Sequence, residues 1–211
     1  MSKTLIRSSD PVDSVRIRSE VFKMARGGDK DAYKLAKSMK LPWYATQSLA
    51  AVARWETSAA RASRIAENSF RRALDCRDYY QRAAVSAWPL AALVERGSIT
   101  AAQNAIPALL ELVRREDNGA SRAEAIYGLW IAAVPKSYPD FSDLHEAFVA
   151  ITQEANSWRA GRAQCGVVYA LQSVDPEEAR RIYALMTPSR FKKFAARAFD
   201  ADEAPQPYMF F

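Results

Sequence analysis

The sequence predicts an all-α fold, and three observations carry that expectation. Apolar residues recur at helical spacing along the chain, and no segment shows the period-two alternation of a strand. The 211 residues include only 7 glycines, too few for many tight β-turns or Gly-rich phosphate loops. A content of 49% hydrophobic and 26% charged residues belongs to an ordinary folded chain rather than a disordered one.

Helix starts and stops can then be placed in order. Asp10-Pro11 supplies an acidic cap and a first-turn proline for a helix carrying Val12, Val15, Val21, Phe22 and Ala25, which Gly27-Gly28 ends. Asp29 caps a short helix with Ala32, Leu35, Ala36 and Met39 as its apolar positions. The residue before a proline avoids the helical region, so Leu41-Pro42 breaks the chain ahead of a helix over Trp43–Trp55. Ser58 begins a longer helix rich in alanine and arginine, and Asp78 caps Tyr79–Arg96, which stops at Gly97. Thr100 caps Ala101 to Arg115, where Pro107 predicts a kink or a later start. After the turn Glu116–Gly119, Ser121 caps Arg122–Val134, and Pro135 and Pro139 frame a loop. Ser142 or Asp143 opens the next helix, closed by Asn156, and Ser157 caps Trp158–Gln172. Asp175-Pro176-Glu177-Glu178 places acids at the positive end of a helix dipole, and Thr187-Pro188 opens Ser189–Phe199. The expectation is about eleven helices joined by short turns, with a non-helical tail over residues 200–211.

Alternate helices repeat. Ala50-Ala51-Val52, Ala91-Ala92-Leu93 and Ala132-Ala133-Val134 are spaced 41 residues apart, and Tyr169-Ala170-Leu171 follows 37 residues after the third. Trp88 and Trp130 read as core residues of these helices. A two-helix period near 40 is the pattern of a helical solenoid. The helices beginning Gln81-Arg82-Ala83-Ala84, Ser121-Arg122-Ala123-Glu124-Ala125 and Trp158-Arg159-Ala160 resemble second helices of HEAT-type repeats. Ile106-Pro107-Ala108-Leu109-Leu110-Glu111-Leu112-Val113 resembles a first helix of that family. Pro89 inside a second helix and the absence of a regular aspartate ladder depart from the family pattern, and Asp175–Arg180 would also suit a tetratricopeptide-like unit. The resemblance implies an α-solenoid of about five antiparallel helix pairs over residues 29–199, with residues 1–28 as an N-terminal helix packed on the first pair. It implies a non-catalytic scaffold that binds a protein or peptide along its concave face, in the region of Arg82, Arg122, Arg159 and Arg162.

Charge supplies the alternative. Residues 1–80 hold 16 Lys/Arg against 9 Asp/Glu, whereas residues 81–211 hold 14 against 15. The basic excess of the front half suits an anionic partner. Arg54, Arg61, Arg64, Arg71 and Arg72 with Trp43, Trp55 and Tyr44 place cations beside aromatics, as nucleic-acid binding requires. On an unbroken helix Arg61, Arg64, Arg71 and Arg72 fall within an arc of roughly 100°.

Chemistry is thinly represented. His145 is the only histidine, lacks a second histidine four residues on, and reads as a helix-surface residue. Cys76 and Cys165 are far apart and read as reduced, buried thiols of a cytoplasmic protein. Gly161–Gly166 is not followed by Lys-Ser/Thr, so it is no phosphate loop. No catalytic residue, metal site or cofactor is expected. The N-terminus lacks a signal-peptide core. The longest apolar run, Ala125–Val134, is half a membrane span, so no membrane partner is expected. The aromatic end Tyr208-Met209-Phe210-Phe211 reads as a cap on the last repeat or as a dock for a partner or a second copy of the chain.

Overall fold

Eleven α-helices and one short 3₁₀ turn make up the computed structural model, which describes residues 10–138 and 140–199; no strand occurs among the described residues. The helices are α1 Pro11–Arg26, α2 Asp31–Ser38, α3 Pro42–Trp55, α4 Ala59–Ala73, α5 Tyr79–Glu95 and α6 Ile99–Arg114. They continue as α7 Gly119–Ser137, α8 Ser142–Glu154, α9 Trp158–Leu171, α10 Pro176–Leu185 and α11 Arg190–Ala196, before the 3₁₀ turn Arg197–Phe199. The expected loop proline Pro139 and the aromatic end Tyr208–Phe211 lie outside the described residues.

Side-chain caps set most of the starts. The oxygens of Asp10, Ser58, Asp78, Ser157, Asp175 and Ser189 each accept a backbone N–H of the first turn that follows, satisfying donors that the helix itself leaves open. Two stops are Schellman turns. At the end of α1, Asp29 N–H reaches Met24 O and Gly28 N–H reaches Ala25 O, and at the end of α5 the same pair of bonds joins Ser98 to Leu93 and Gly97 to Val94. Gly28 and Gly97 have φ of 75° and 71°, the left-handed conformation that such turns require and that side chains resist.

Several boundaries differ from expectation. The helix expected from Trp43 begins at Pro42, whose missing N–H costs nothing in a first turn. Thr100 lies inside α6 rather than capping it: the glycine turn at Gly97 delivers the chain directly into the helix, and Ala102 N–H already bonds Ser98 O at 3.0 Å. Asn118, not Ser121, caps α7, accepting the Ser121 N–H at 3.0 Å. Pro135 stands within α7 rather than in a loop, and Pro89 and Pro107 also lie inside helices. A proline forfeits one hydrogen bond, and the buried Ala132–Val134 that precedes Pro135 holds α7 in place.

The described chain divides into two compact units, with the division inside α6 between Ala105 and Ile106. In the first, α3 lies at the centre and packs against α1, α2, α4 and α5. Every residue from Ala45 to Ala53 is buried, which is how a helix surrounded by other helices must read. In the second, α7 packs against α8 and α9, and α9 against α10 and α11. The repeated triplets lie in these central helices, and Ala50, Ala51, Ala91, Ala92, Ala132 and Ala133 are all at most 1% exposed. Their small side chains let neighbouring backbones approach closely. The same holds at Gly166 in α9, where a Cβ would lie 2.1 Å from the Tyr127 hydroxyl of α7.

Candidate functional site

Of the four arginines expected to form one basic face on α4, Arg61 and Arg72 are bound to their own protein, as is Arg54 near the end of α3. Arg54 ion-pairs with Glu95 and lies 5.0 Å from the Trp55 ring centre. Arg61 pairs with Glu56 at 3.1 Å, and Arg72 holds Asp75 at 2.8 Å and the carbonyls of Met39 and Lys40. Arg64 and Arg71 are exposed and make no ion pair among the described residues. Trp43 is half-buried against Ala73, Cys76 and Val85, and Trp55 meets the edge of Phe22 at 6.2 Å. Trp55 and Arg61 line one cleft with Lys30, Tyr33 and Glu56, whereas Trp43 packs against the core.

Of the four arginines placed in the expected groove, two are structural ties. Asp78 caps α5, and Arg82, four residues on, donates its Nε–H to the carbonyl of Cys76, two residues before the cap, at 2.8 Å. Asn118 caps α7, and Arg122 donates to the carbonyl of Glu116 at 3.2 Å. Cap, arginine and carbonyl recur at the same offsets. At α9 the cap is Ser157, and the position four residues on is Gly161.

There the chain opens instead of closing. A cleft of about 300 Å³ lies between the first turn of α9 and the start of α11. Trp158, 56% exposed, and Phe191 form its aromatic walls. Gly161 admits Phe191 closely: a Cβ there would stand 3.4 Å from the ring. Ser157, Thr187, Ser189 and Asn156 supply hydroxyl and amide groups, and the cleft adjoins a narrower one of about 20 Å³ that reaches Thr152 and Gln164. Asn156 has φ of 33° in the α8–α9 turn, a strained value for a residue with a side chain. Arg159 and Arg162 each lie 5.6 Å from the Trp158 ring centre, Arg190 is 4.7 Å from Phe191, and Arg197 is 5.2 Å from Phe194. Arg162 also pairs with Glu124, whereas Arg159, Arg190 and Arg197 have no carboxylate partner among the described residues. Arg190 lines the cleft with both rings and the N-terminal end of α9, and Arg159 lies beside Trp158, a combination that favours a ligand that is anionic and partly apolar. The sequence pattern marked Arg159 and Arg162 but treated Trp158 only as a helix start.

His145 corrects an expectation. It is 1% exposed, not on a helix surface. Trp130 Nε1–H donates to His145 Nδ1 at 2.9 Å. An indole can only donate, so Nδ1 is the acceptor, and the ring proton on Nε2 donates to Glu178 Oε1 at 2.6 Å. Arg181 binds both Glu178 oxygens, at 2.6 and 2.8 Å, and reaches Glu146 at 3.2 Å. Burial pushes the Glu178 carboxyl up, but hydrogen bonds from Arg181 and His145 outweigh it and hold the group below its ordinary range. Each imidazole nitrogen is occupied, so the ring offers no free lone pair in this arrangement. No group of three metal-ligating side chains occurs among the described residues, and no helix there is long and apolar enough to cross a membrane. Both cysteines are free and buried, as expected, and burial raises the Cys76 thiol to about 11, away from reactivity.

Comparison with known proteins finds no significant match to any protein-family model, curated protein or solved structure. The fold itself defines the class: among the described residues it is all-α, with eleven helices packed against neighbours.

Proposed function

We propose that the protein is a non-catalytic interaction module of HEAT-like helical repeats, and that it binds an acidic peptide segment of a partner protein in the Trp158–Phe191 cleft. The observation that carries the reading is the exposed Trp158 in a cleft lined by Arg190, with Arg159 beside its ring and neither arginine paired to a carboxylate among the described residues. A large exposed ring and uncompensated guanidinium groups in one concavity are the usual anchors of a peptide interface. The peptide contributes an apolar or aromatic side chain between Trp158 and Phe191 and carboxylates to Arg159 and Arg190. The matched turns at Asp78–Arg82 and Asn118–Arg122 support the repeat reading, and the two free, buried cysteines support a cytoplasmic setting. Panning a displayed peptide library on the protein tests the site. Recovered peptides should combine Asp or Glu with an apolar anchor and lose binding to the Trp158→Ala variant. A library without an enriched motif, or a motif held equally by Trp158→Ala, would sink the proposal.

A further inference from the structure

The basic excess of the first unit reappears on a surface that adds to Arg64 and Arg71, marked by the sequence pattern, three lysines that it did not single out. Lys30, immediately before α2, and Lys34 and Lys37 within it are all exposed. At 100° per residue the three side chains form one stripe, opposite the buried Ala32, Ala36 and Met39. On α4, Arg64 and Arg71 form a second stripe, opposite the buried Ala62, Ala66 and Ala73. Both helices pack on α3, so both stripes face away from it. The helices are tied together: Asn68, one turn from each arginine, donates to the Tyr33 hydroxyl at 3.1 Å, and Arg72 holds the carbonyls that follow α2. Five exposed cations therefore lie in two rows on helices joined by these hydrogen bonds, and none of the five has a carboxylate partner among the described residues. Lys37 alone has a local contact, 5.7 Å from the Tyr33 ring centre. Asp29, Asp31, Glu67 and Asp75 are the nearby acids in sequence; none forms an ion pair with the rows among the described residues, and Asp75 pairs with Arg72 instead.

We infer that this α2–α4 surface binds the phosphate backbone of a nucleic-acid duplex without reading its bases. Each row covers a separation of seven residues, about 10 Å along its axis. A duplex strand presents a phosphate about every 3.4 Å of its axis, so a patch of this size meets several at once. A membrane-surface helix would need an apolar face beside the cations, and a protein interface an apolar centre. The rows offer neither: the one large apolar side chain exposed beside them is Leu74, at the end of α4. The inference is independent of the peptide cleft, which lies on other helices.

The test is fluorescence anisotropy with a labelled mixed-sequence DNA duplex of about 20 base pairs across a salt series. Five neutralised phosphates give a slope of log K against log salt of about −4.5, a loss of affinity of roughly 10²–10³-fold between about 50 and 200 mM salt. Lys30→Ala/Lys34→Ala/Lys37→Ala should flatten the slope by about 3, and Arg64→Ala/Arg71→Ala by about 2. Both variants should keep the parent melting temperature, because the side chains are exposed. Trp158→Ala should bind the duplex as the parent does. Absence of salt-sensitive binding, an unchanged slope in both variants, or loss of binding in Trp158→Ala would overturn the inference. So would tighter binding of phosphatidylserine vesicles or poly-glutamate than of the duplex, which would point to a membrane or an acidic protein instead.

Discussion

Around His145, polar groups meet in matched pairs: Trp130 donates to the imidazole, the imidazole to Glu178, and Arg181 to both Glu178 and Glu146. Around Trp158, in the same unit, guanidinium groups lie over ring faces and most have no carboxylate to complete them. The first cluster is buried and the second half-open, and the physics differs accordingly. A polar group shut away from water must be paired or it costs the fold heavily. A polar group at the surface can stay unmatched at little cost, because water serves it until a ligand arrives. The histidine cluster therefore reads as part of the structure and the tryptophan cleft as a place to bind.

The largest expected effect is at the closed cluster. His145→Ala should destabilise by about 3 kcal/mol, since it opens a cavity and strands the Trp130 N–H; a urea titration would measure it. A loss under about 1 kcal/mol would break the contrast. Next comes Gly166→Ala, where overpacking against Tyr127 costs about 1–3 kcal/mol and the gain in helix propensity returns up to about 1. Thermal melts of this variant and of Gly166→Ala/Tyr127→Phe would show partial recovery in the double variant. The arginine ties sharpen the comparison further. Arg82→Ala or Arg122→Ala should each cost about 1 kcal/mol, the worth of a hydrogen bond to a part-buried carbonyl, whereas Arg159→Ala should cost less than about 0.5. Equal losses at all three would mean that Arg159 also serves the fold.

Acid should separate the clusters too. The folded-state carboxyl of Glu178 is held low, so its contribution is present above the unfolded carboxylate range, about pH 4.3, and is lost as the pH falls through the lowered folded value. Stability followed by denaturant midpoint should drop over that acid range, and Glu178→Gln should remove part of the drop while lowering stability at neutral pH. A gain rather than a loss is expected at Thr46, whose buried hydroxyl has no hydrogen-bond partner among the described residues. Thr46→Val should stabilise the first unit by about 1 kcal/mol, as an unmatched group replaced by an isosteric apolar one.

Much of the fold was legible because its signals are local. Asp10, Ser58, Asp78, Ser157 and Asp175 cap helices where their side-chain chemistry says they should, whereas Ser189, not the expected Thr187, caps α11. Misplaced boundaries arose where two local signals competed. Asn118 and Ser121 are both good caps, and Pro135 is a helix breaker that the packing of Ala132–Val134 overrides. The candidate site was less legible. Arg159 and Arg162 stood out by pattern, but the cleft depends on Phe191 coming to rest beside Gly161, 30 residues away in sequence. The rows on α2 and α4 were partly visible as net charge. Which of the front-half cations stay free depends on long-range partners, such as Glu95 for Arg54 and the carbonyls of Met39 and Lys40 for Arg72.

By itself the sequence determined the all-α class, most helix limits and the alanine-rich triplets of the central helices, because capping, glycine turns and 3.6-residue periodicity act within a few residues. Tertiary structure alone decided the fate of the polar side chains. An arginine reads the same in sequence whether it ties down a turn, completes an ion pair or faces solvent, and a histidine the same whether exposed or enclosed. Only packing of distant helices supplies or withholds the partner, and that choice separates the buried His145 cluster from the open surface at Trp158.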